Sequence, residues 1–283
     1  HTLWQSCPWS NLRVENDSTL VGYKLVKGWG PERHVYFTAV FSKPFRDFGI
    51  MQDTIPVKYN TNRFRSSLEA WGKDLRFWMR FPTRQGEVVT VKTAVSAVSS
   101  DGAKLNMQEL EGKTFASLKA EGEKLWEGQL SKFKIEATPE QRETFYTSVY
   151  HAFLHPFIFQ DADGKFRELD KNIGQAEGFT NYTVFSLWDT YRALHPLFNL
   201  VQRDINADIV NSMLAHYDKS VEHMLPVWSF YGNETWCMIG YHAVSVIADA
   251  IMKDVKGFDY ERAYEAVTTT ATNPNYECLP HYT

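Results

Sequence analysis

The sequence has little of what marks a membrane protein, a nucleic-acid-binding protein or a disulfide-rich protein. Its 283 residues include only three cysteines, which lack metal-ligand spacing, so neither a disulfide framework nor a zinc site is implied. The longest apolar stretch, 243–252, is interrupted by Ser245 and Asp249 and falls short of the roughly 18 residues of a membrane span. The net charge is −4 and the basic residues are scattered, which predicts no nucleic-acid partner.

Aromatic residues are abundant. They make up 15% of the chain, with nine Trp, fourteen Tyr and nineteen Phe, whereas the hydrophobic content of 43% and the charged content of 23% are ordinary for a globular protein. Part of this aromatic excess fills protein cores. The rest suits a carbohydrate-binding surface, because aromatic rings present flat apolar faces against which a sugar ring packs.

Residues 1–105 have the pattern of β-strands. The runs 35–41, 75–81 and 88–95 are rich in β-branched and aromatic residues, and turn signals such as Ser100-Asp-Gly102 separate such runs. Strands at this spacing predict an antiparallel sandwich. The set is short for a whole sandwich, so we expect residues 1–105 to form part of a β-sandwich domain.

From residue 106 onward the pattern becomes helical. We expect linker helices over 106–135, and the Thr138-Pro139 pair with Gln141 predicts a capped helix start. Further helices are predicted over 184–201, 205–224, 235–252 and 260–270, with loops at 155–182 and 225–234. The sequence therefore predicts an α+β multidomain protein, in which residues 136–283 form an array of paired helices.

Glu234 is the strongest candidate for a catalytic residue. It follows Gly232 and Asn233 in a predicted turn, and a helix-like run begins at Trp236; the aromatic residues around it are Trp228, Phe230, Tyr231 and Trp236. Apolar surroundings raise the pKa of a carboxyl group, as an acid catalyst at neutral pH requires. Alternatively, Glu234 is an acidic residue in the first turn of that helix, where the helix dipole lowers its pKa.

A second candidate cluster lies at 185–192. Trp188 and Asp189 are followed by Arg192, which places a carboxylate and a guanidinium on one face of the predicted helix. Such a pair binds two sugar hydroxyls, or its carboxylate and guanidinium form a salt bridge with each other. The segment 160–166 is similar to the opening of a calcium-binding loop, but Asn172 occupies the position of the final glutamate, which favours a hairpin instead.

Together these segments resemble glycoside hydrolase family 92, the exo-acting α-mannosidases. The resemblance spans nearly the whole chain, and its two most specific motifs are SLWDTYRALHP at 186–196 and GNET at 232–235 with MIGYHA at 238–243. The other matching stretches are YHAFLHP at 150–156 and the shorter segments 22–24, 35–37 and 41–45.

The resemblance implies a β-sandwich packed on an (α/α)6 barrel, with the active site between the two domains. It also implies calcium-dependent hydrolysis of α-mannosides with inversion at the anomeric carbon. By this resemblance the chain holds the C-terminal part of the sandwich (1–105), the linker helices (106–135) and about half of the barrel (136–283). Glu234 matches the general acid of the family. We expect the substrate-binding residues to be Trp188, Asp189, Arg192, Asn233 and Trp228.

The resemblance also implies parts that this chain does not contain. The catalytic base and the main Ca²⁺ ligands of the family lie in downstream segments, so no metal ligand is assigned here. We expect both ends of the chain to be cuts, and the remainder of the same polypeptide to complete the sandwich and the barrel. The 283 residues alone are then expected to be inactive and poorly soluble.

The expected partners are mannose-containing glycans such as N-glycans, and the expected location is periplasmic, cell-surface or secreted. Two alternatives stay open from the sequence. One is a helical-toroid glycosidase with a different sugar specificity, because a fold does not fix a substrate. The other is a non-catalytic carbohydrate-binding protein, with Trp188, Trp228 and Trp236 as stacking platforms.

Overall fold

The computed structural model of the chain describes residues 5–52, 55–56 and 68–273. These residues form two compact units. The first unit extends to Glu111 and also includes Gln160–Arg167 and Ile173–Gln175; the second contains the rest of the described chain. Within the described ranges, no helix combines the length and the apolar character needed to cross a bilayer.

The first eight strands of the described chain form two antiparallel sheets in the first unit. Their strands are β1 (Ser6–Asn16), β2 (Thr19–Lys27), β3 (Arg33–Phe41), β4 (Asp47–Gln52), β5 (Ile55–Pro56), β6 (Leu68–Gly72), β7 (Leu75–Arg80) and β8 (Val91–Ser96). One sheet has the order β6-β1-β2-β3-β8 and the other the order β5-β4-β7. The runs predicted at 35–41, 75–81 and 88–95 thus correspond to β3, β7 and β8.

The core of this unit lies between the two sheets. Strand β7 alternates inward and outward side chains, as the period of two requires, so that Phe77 and Met79 face inward. They pack with residues of the larger sheet, among them Val14, Leu20 and Ala39. The sandwich predicted for this part of the chain is therefore confirmed.

The turn predicted at Ser100-Asp-Gly102 is wrong, because these residues begin helix α1 (Ser100–Met107). The side chain of Ser99 caps the helix by accepting a hydrogen bond from the Gly102 amide at 2.9 Å. A side chain at Gly102 would overlap the carboxylate of Asp161. Glycine is needed here because another segment packs closely against the helix. The first unit therefore contains a helix as well as strands.

The second unit is mainly helical. Its helices are α2 (Phe115–Leu130), α3 (Pro139–Ala152), α4 (Leu187–Thr190), α5 (Leu194–Val201), α6 (Arg203–Lys219), α7 (His242–Met252) and α8 (Tyr260–Thr272). Helices α6, α7 and α8 supply most of the buried core. Helix α3 starts at the predicted capping box, where Thr138 and Gln141 exchange hydrogen bonds of 3.1 and 3.3 Å.

Two helix predictions need correction. The segment 184–201 forms two helices, because the chain leaves helical geometry between Thr190 and Leu194. The helix predicted from 235 starts only at His242, since Trp236 and Met238 adopt left-handed backbone conformations (φ of 52° and 68°) that interrupt a right-handed helix.

The loop predicted at 155–182 contains short strands. Strand β9 (Phe157–Ile158) pairs with β12 (Tyr182–Thr183) in the second unit. Strand β10 (Lys165–Arg167) pairs with β11 (Ile173–Gln175) in the first unit. The calcium-loop-like segment 160–166 therefore enters a hairpin, as the sequence favours. The carboxylate of Asp161 accepts hydrogen bonds from Ser96 and Asn106 at 2.7 and 2.8 Å.

Candidate active site

The candidate site is built around a tight hairpin at 229–234. Ser229 and Glu234 form an isolated β-bridge, and the Phe230 amide donates to the Asn233 carbonyl at 2.8 Å. The two residues at the tip, Tyr231 and Gly232, have φ values of 50° and 70°. Positive φ at both central positions is the type I′ turn, whose twist matches that of the flanking strands. Tyr231 is held in this uncommon conformation because its amide donates to the hydroxyl of Thr183 at 2.8 Å.

Asn233 holds the hairpin from within. Its side chain is buried, and its Nδ2 donates to the carbonyls of Phe230 and Tyr231 at 3.0 and 3.1 Å. Its Oδ1 accepts a hydrogen bond of 2.7 Å from Lys171, which also donates to the Gly232 carbonyl. These contacts give Asn233 a role in shaping the hairpin. Its predicted role in substrate binding stays a prediction.

The carboxyl group of Glu234 accepts hydrogen bonds from three backbone amides. Its Oε1 accepts from Trp228 and Trp236, and its Oε2 accepts from Val227, each at 2.9 Å. Only 5% of the side chain is exposed. Because α7 starts at His242, Glu234 does not lie in the first turn of a helix, and that alternative is wrong.

His216 faces the same carboxyl group from helix α6. Its Nε2 lies 3.5 Å from Oε2 of Glu234, and its side chain is also buried. Burial raises the pKa of Glu234, while the backbone amides oppose this rise. Burial, and then the positive charge of Lys171, lower the pKa of His216 to about 4. The carboxyl therefore lies beside a neutral imidazole, in surroundings that favour its protonated form.

The structure brings the two sequence motifs together. The amides of Val184 and Phe185 both donate to the Ser229 carbonyl, at 3.1 and 3.3 Å. This contact connects the hairpin that carries Glu234 to the segment that leads into Trp188. Trp228 is buried and lines a cavity of about 410 Å³ beside this junction; Ser186, Thr190, His151, His155 and His195 are among the other lining residues.

Trp188, Asp189 and Arg192 do not share a helical face, because α4 ends at Thr190. The carboxylate of Asp189 accepts a hydrogen bond of 2.5 Å from the Ser186 hydroxyl. The guanidinium of Arg192 lies 5.7 Å from the Trp188 ring and 4.9 Å from the Tyr191 ring. The predicted helical carboxylate–guanidinium pair is thus replaced by a cation–π arrangement.

Three residues of the site are missed by sequence reasoning. His216 and Lys171 reach Glu234 and Asn233 from distant parts of the chain, and no local spacing indicates these contacts. The ring of His242 stacks on Tyr191 with centroids 4.1 Å apart and lies 5.3 Å from the Trp188 ring. Its Nε2 is buried without a hydrogen-bond partner in the described part of the chain. Its position in the MIGYHA motif was the only available signal.

The described residues offer few groupings of metal-binding side chains. Across 5–52, 55–56 and 68–273, no three His, Cys, Asp or Glu side chains converge in a way that would hold a metal ion. Asp161 and Asp163, the acidic residues of the calcium-like segment, are engaged with Ser96, Asn106 and Lys165 instead. The residues that the structure describes therefore form no acidic or histidine cluster that would hold Ca²⁺ by itself.

Comparisons with known proteins agree with the fold and the motifs. Residues 1–96 match the sequence model of the glycosyl hydrolase family 92 N-terminal domain, and residues 102–282 match that of its catalytic domain. Among the curated proteins, none is significantly similar to this chain.

Several solved structures are similar to the chain. The family GH92 α-mannosidase BT3965 from Bacteroides thetaiotaomicron, in complex with mannoimidazole, is 73% identical over 100% of this chain, with a TM-score of 0.95. The inverting mannosidase BT2199 of the same organism is 24% identical over 96%, with a TM-score of 0.84. The family member ccman5 is 23% identical over 97%, with a TM-score of 0.75. This chain spans only 37%, 37% and 36% of their respective lengths.

These matches place the chain among the glycoside hydrolases. Since the family models match more than half of its residues, the chain belongs to glycosyl hydrolase family 92. The predicted fold class is confirmed as well: a partial sandwich is followed by the first part of the helical barrel domain.

Proposed function

We propose that the protein that carries this chain is an exo-α-mannosidase, which removes terminal α-linked mannose from glycans with inversion. The observation that carries this proposal is the environment of Glu234: a buried carboxyl with a raised pKa, held beside the segment of Trp188. The similarity to BT3965, a structure in complex with mannoimidazole, supports mannose as the sugar.

Glu234 is proposed as the general acid. Its protonated carboxyl gives a proton to the oxygen of the leaving group as the glycosidic bond breaks. The carboxylate that remains is stabilised by the amides of Val227, Trp228 and Trp236. The same contacts fix the position of the side chain, so that little conformational entropy is lost when it reaches the reactive geometry.

The terminal mannose is proposed to bind at the Trp188 segment. In this proposal the Trp188 ring offers an apolar face to the sugar, and the exposed side chains of Asp189 and Arg192 bind its hydroxyls. Trp228 closes the neighbouring cavity with an aromatic wall. Asn233 contributes through the hairpin that it stabilises.

The other parts of the machinery are proposed to lie outside this chain. An inverting glycosidase needs a second carboxylate about 6.5–9.5 Å from the acid to activate a water molecule. We propose that the remainder of the polypeptide supplies this base and the ligands for Ca²⁺, and that residues 1–283 alone are inactive. The family resemblance also suggests a periplasmic, cell-surface or secreted bacterial protein.

The test compares leaving groups in the full-length protein. Replacement of Glu234 by Gln should reduce the hydrolysis of α-mannobiose by about 10²-fold or more, since general acid catalysis contributes that much. Hydrolysis of 2,4-dinitrophenyl mannoside should change far less, because this leaving group needs no proton. Glu127→Gln, at an exposed position of α2, serves as the matched control.

Three results would overturn the proposal. One is hydrolysis of α-mannobiose by the Glu234→Gln variant at the parental rate. Another is cleavage of glucosides in preference to mannosides by the parental protein, which would indicate a helical-toroid glycosidase of other specificity. Binding of mannose without release of any product would indicate a carbohydrate-binding protein instead.

A further inference from the structure

Two tryptophan rings stack on the outer face of the larger sheet in the first unit. Trp9 of β1 and Trp71 of β6 have their ring centroids 6.0 Å apart and their planes at 29°. Successive side chains of a strand alternate between its two faces. Since Leu12 and Ala70 turn toward the core between the sheets, both tryptophans lie on the opposite face, where 46% and 51% of them is exposed. Contiguous exposed apolar groups mark interaction sites, whereas single ones are ordinary.

Asn11 lies beside this pair of rings and is buried. It is directly opposite Trp71 on one neighbouring strand and Tyr23 on the other, and because adjacent strands are about 4.8 Å apart, it lies between two aromatic residues. Its Nδ2 donates to Oε1 of Glu69 at 3.0 Å and to the Ala70 carbonyl at 3.2 Å. Both partners are acceptors, which fixes the orientation of the amide. Its Oδ1 accepts no hydrogen bond from the described part of the chain and is therefore available to a ligand hydroxyl.

Tyr23 is held in place by a chain of hydrogen bonds. Its hydroxyl lies 3.0 Å from Nδ1 of His34, whose Nε2 lies 2.6 Å from the Glu32 carboxylate. Its ring packs on Tyr36 with centroids 4.7 Å apart. Burial, and then the neighbouring Tyr36 and Glu32, raise the pKa of Tyr23 to about 12, so this side chain is a neutral phenol at physiological pH. A ligand that binds beside it does not have to order it first.

Charged groups follow the aromatic residues along the same face. Arg13 comes two residues after Asn11, lies opposite Glu69 and pairs with Glu15 at 3.1 Å. Its side chain is 38% exposed. Flat apolar rings beside planar hydrogen-bonding groups suit a pyranose sugar, which has C–H groups on its ring face and hydroxyls at its edge. A purely apolar ligand would leave the buried oxygen of Asn11 without a partner, which is unfavourable.

We propose that this face of the larger sheet binds a pyranose unit of a glycan chain. The sugar packs against Trp9 and Trp71, and one of its hydroxyls donates to Oδ1 of Asn11. Tyr23 forms the opposite side of the site. The choice of α-mannan as the glycan rests on the function proposed above, whereas the site itself rests on the geometry of the sheet. The site holds a polymeric substrate on the protein and takes no part in bond cleavage.

Affinity electrophoresis of the full-length protein tests this site. The gel contains α-mannan, and mannoimidazole is present at saturation to occupy the proposed catalytic site. The parental protein should be retarded. Trp71→Thr, which keeps a residue suited to a β-strand, should bind the polysaccharide about 10-fold more weakly, as expected for an aromatic residue that carries binding energy. Trp78→Thr is the matched control: it removes a tryptophan that is 42% exposed on β7 of the other sheet, and its retardation should be parental.

Kinetics of the same variants separate a lost glycan contact from structural damage. In Trp71→Thr the KM for α-mannan should rise by about 10-fold while kcat is unchanged, since only binding is lost. The kcat/KM for α-mannobiose should stay at the parental value. A structural defect would instead impair the hydrolysis of both substrates.

Each possible outcome supports or overturns the inference. It is overturned if the parental protein is not retarded, or if Trp71→Thr is retarded as strongly as the parent. Equal weakening in Trp71→Thr and Trp78→Thr also overturns it, because exposed tryptophans would then bind the gel without a specific site. If Trp71→Thr does not fold, Trp9→Thr takes its place, and failure of both to fold would show that the rings are structural. Absence of mannoside hydrolysis in the parental protein would overturn the proposed function instead, and retardation in the gel would still decide the site.

Discussion

The carboxyl of Glu234 should be important for the stability of its own loop, whatever its role in catalysis. Replacement by Ala leaves the amides of Val227, Trp228 and Trp236 without their acceptor. Replacement by Gln keeps an oxygen for two of these amides but turns an NH₂ group toward the third. The two substitutions therefore differ in how many buried donors they leave unsatisfied.

The magnitude follows from that count. Each buried donor left without a partner costs about 1–3 kcal/mol. Glu234→Ala should thus destabilise the protein by about 3 kcal/mol or more, unless water enters the space and replaces some bonds. Glu234→Gln loses one acceptor and should cost about 1–3 kcal/mol. The exposed Glu127→Gln control should stay within about 0.5 kcal/mol of the parent.

Hydrogen–deuterium exchange of the full-length protein gives the most direct measurement. The amides of Val227, Trp228 and Trp236 should exchange fastest in the Ala variant, less fast in the Gln variant and slowest in the parent. Calorimetry should give the same order for the melting temperatures. Unchanged exchange at all three amides in Glu234→Ala would refute the hydrogen-bonding scheme. The result also affects enzymology, because inactivity of an Ala variant would reflect a disordered loop as well as a lost acid.

Three further predictions concern stability. The pKa of His216 is 6.5 in the unfolded chain and about 4 in the folded chain. Between these pH values the unfolded chain binds a proton that the folded chain does not. Acidification through this range should therefore lower the free energy of unfolding by up to about 3 kcal/mol. Glu234, whose pKa is raised, acts in the opposite direction. Because His216→Gln removes the titrating imidazole, its melting temperature should fall less on acidification than that of the parent. Equal falls in a thermal melt series would contradict the prediction. Lys171→Met should lower the melting temperature by the equivalent of about 1–3 kcal/mol, since it removes a cation that satisfies buried acceptors of Gly232 and Asn233; no change would contradict it. Gly102→Ala should destabilise by about 1–3 kcal/mol through overlap with a carboxylate, whereas Gly122→Ala, in open space on α2, should be neutral or stabilising in the same urea titration.

The sequence predicts those features that depend on local chemistry. The strands β3 and β7 follow from runs rich in aromatic and other apolar residues. The start of α3 follows from the capping residues Thr138 and Gln141. Hairpin geometry at 229–234 is partly encoded by Gly232. These features are predictable because the residues that decide them are neighbours in sequence.

The features that were missed depend on tertiary contacts. The late start of α7 requires left-handed conformations at Trp236 and Met238, which residue preferences disfavour. The Trp236 amide is instead fixed by the carboxyl of Glu234. In the same way, Gly102 looked like a turn residue, but its requirement comes from the close approach of Asp161. A single sequence does not reveal which distant side chain will supply such a contact.

The late start of α7 also decides the electrostatic surroundings of Glu234, the residue proposed as the acid. At the N-terminus of a helix, Glu234 would meet a fixed dipole that lowers its pKa and favours the anion. In the observed hairpin the three amides stabilise the anion, while burial opposes ionisation, and burial is the larger effect. The raised pKa favours the protonated carboxyl that the proposed acid role needs, and the carboxylate formed by loss of the proton still has three donors in place. A raised pKa moves a carboxyl group toward the range in which a general acid works near neutral pH.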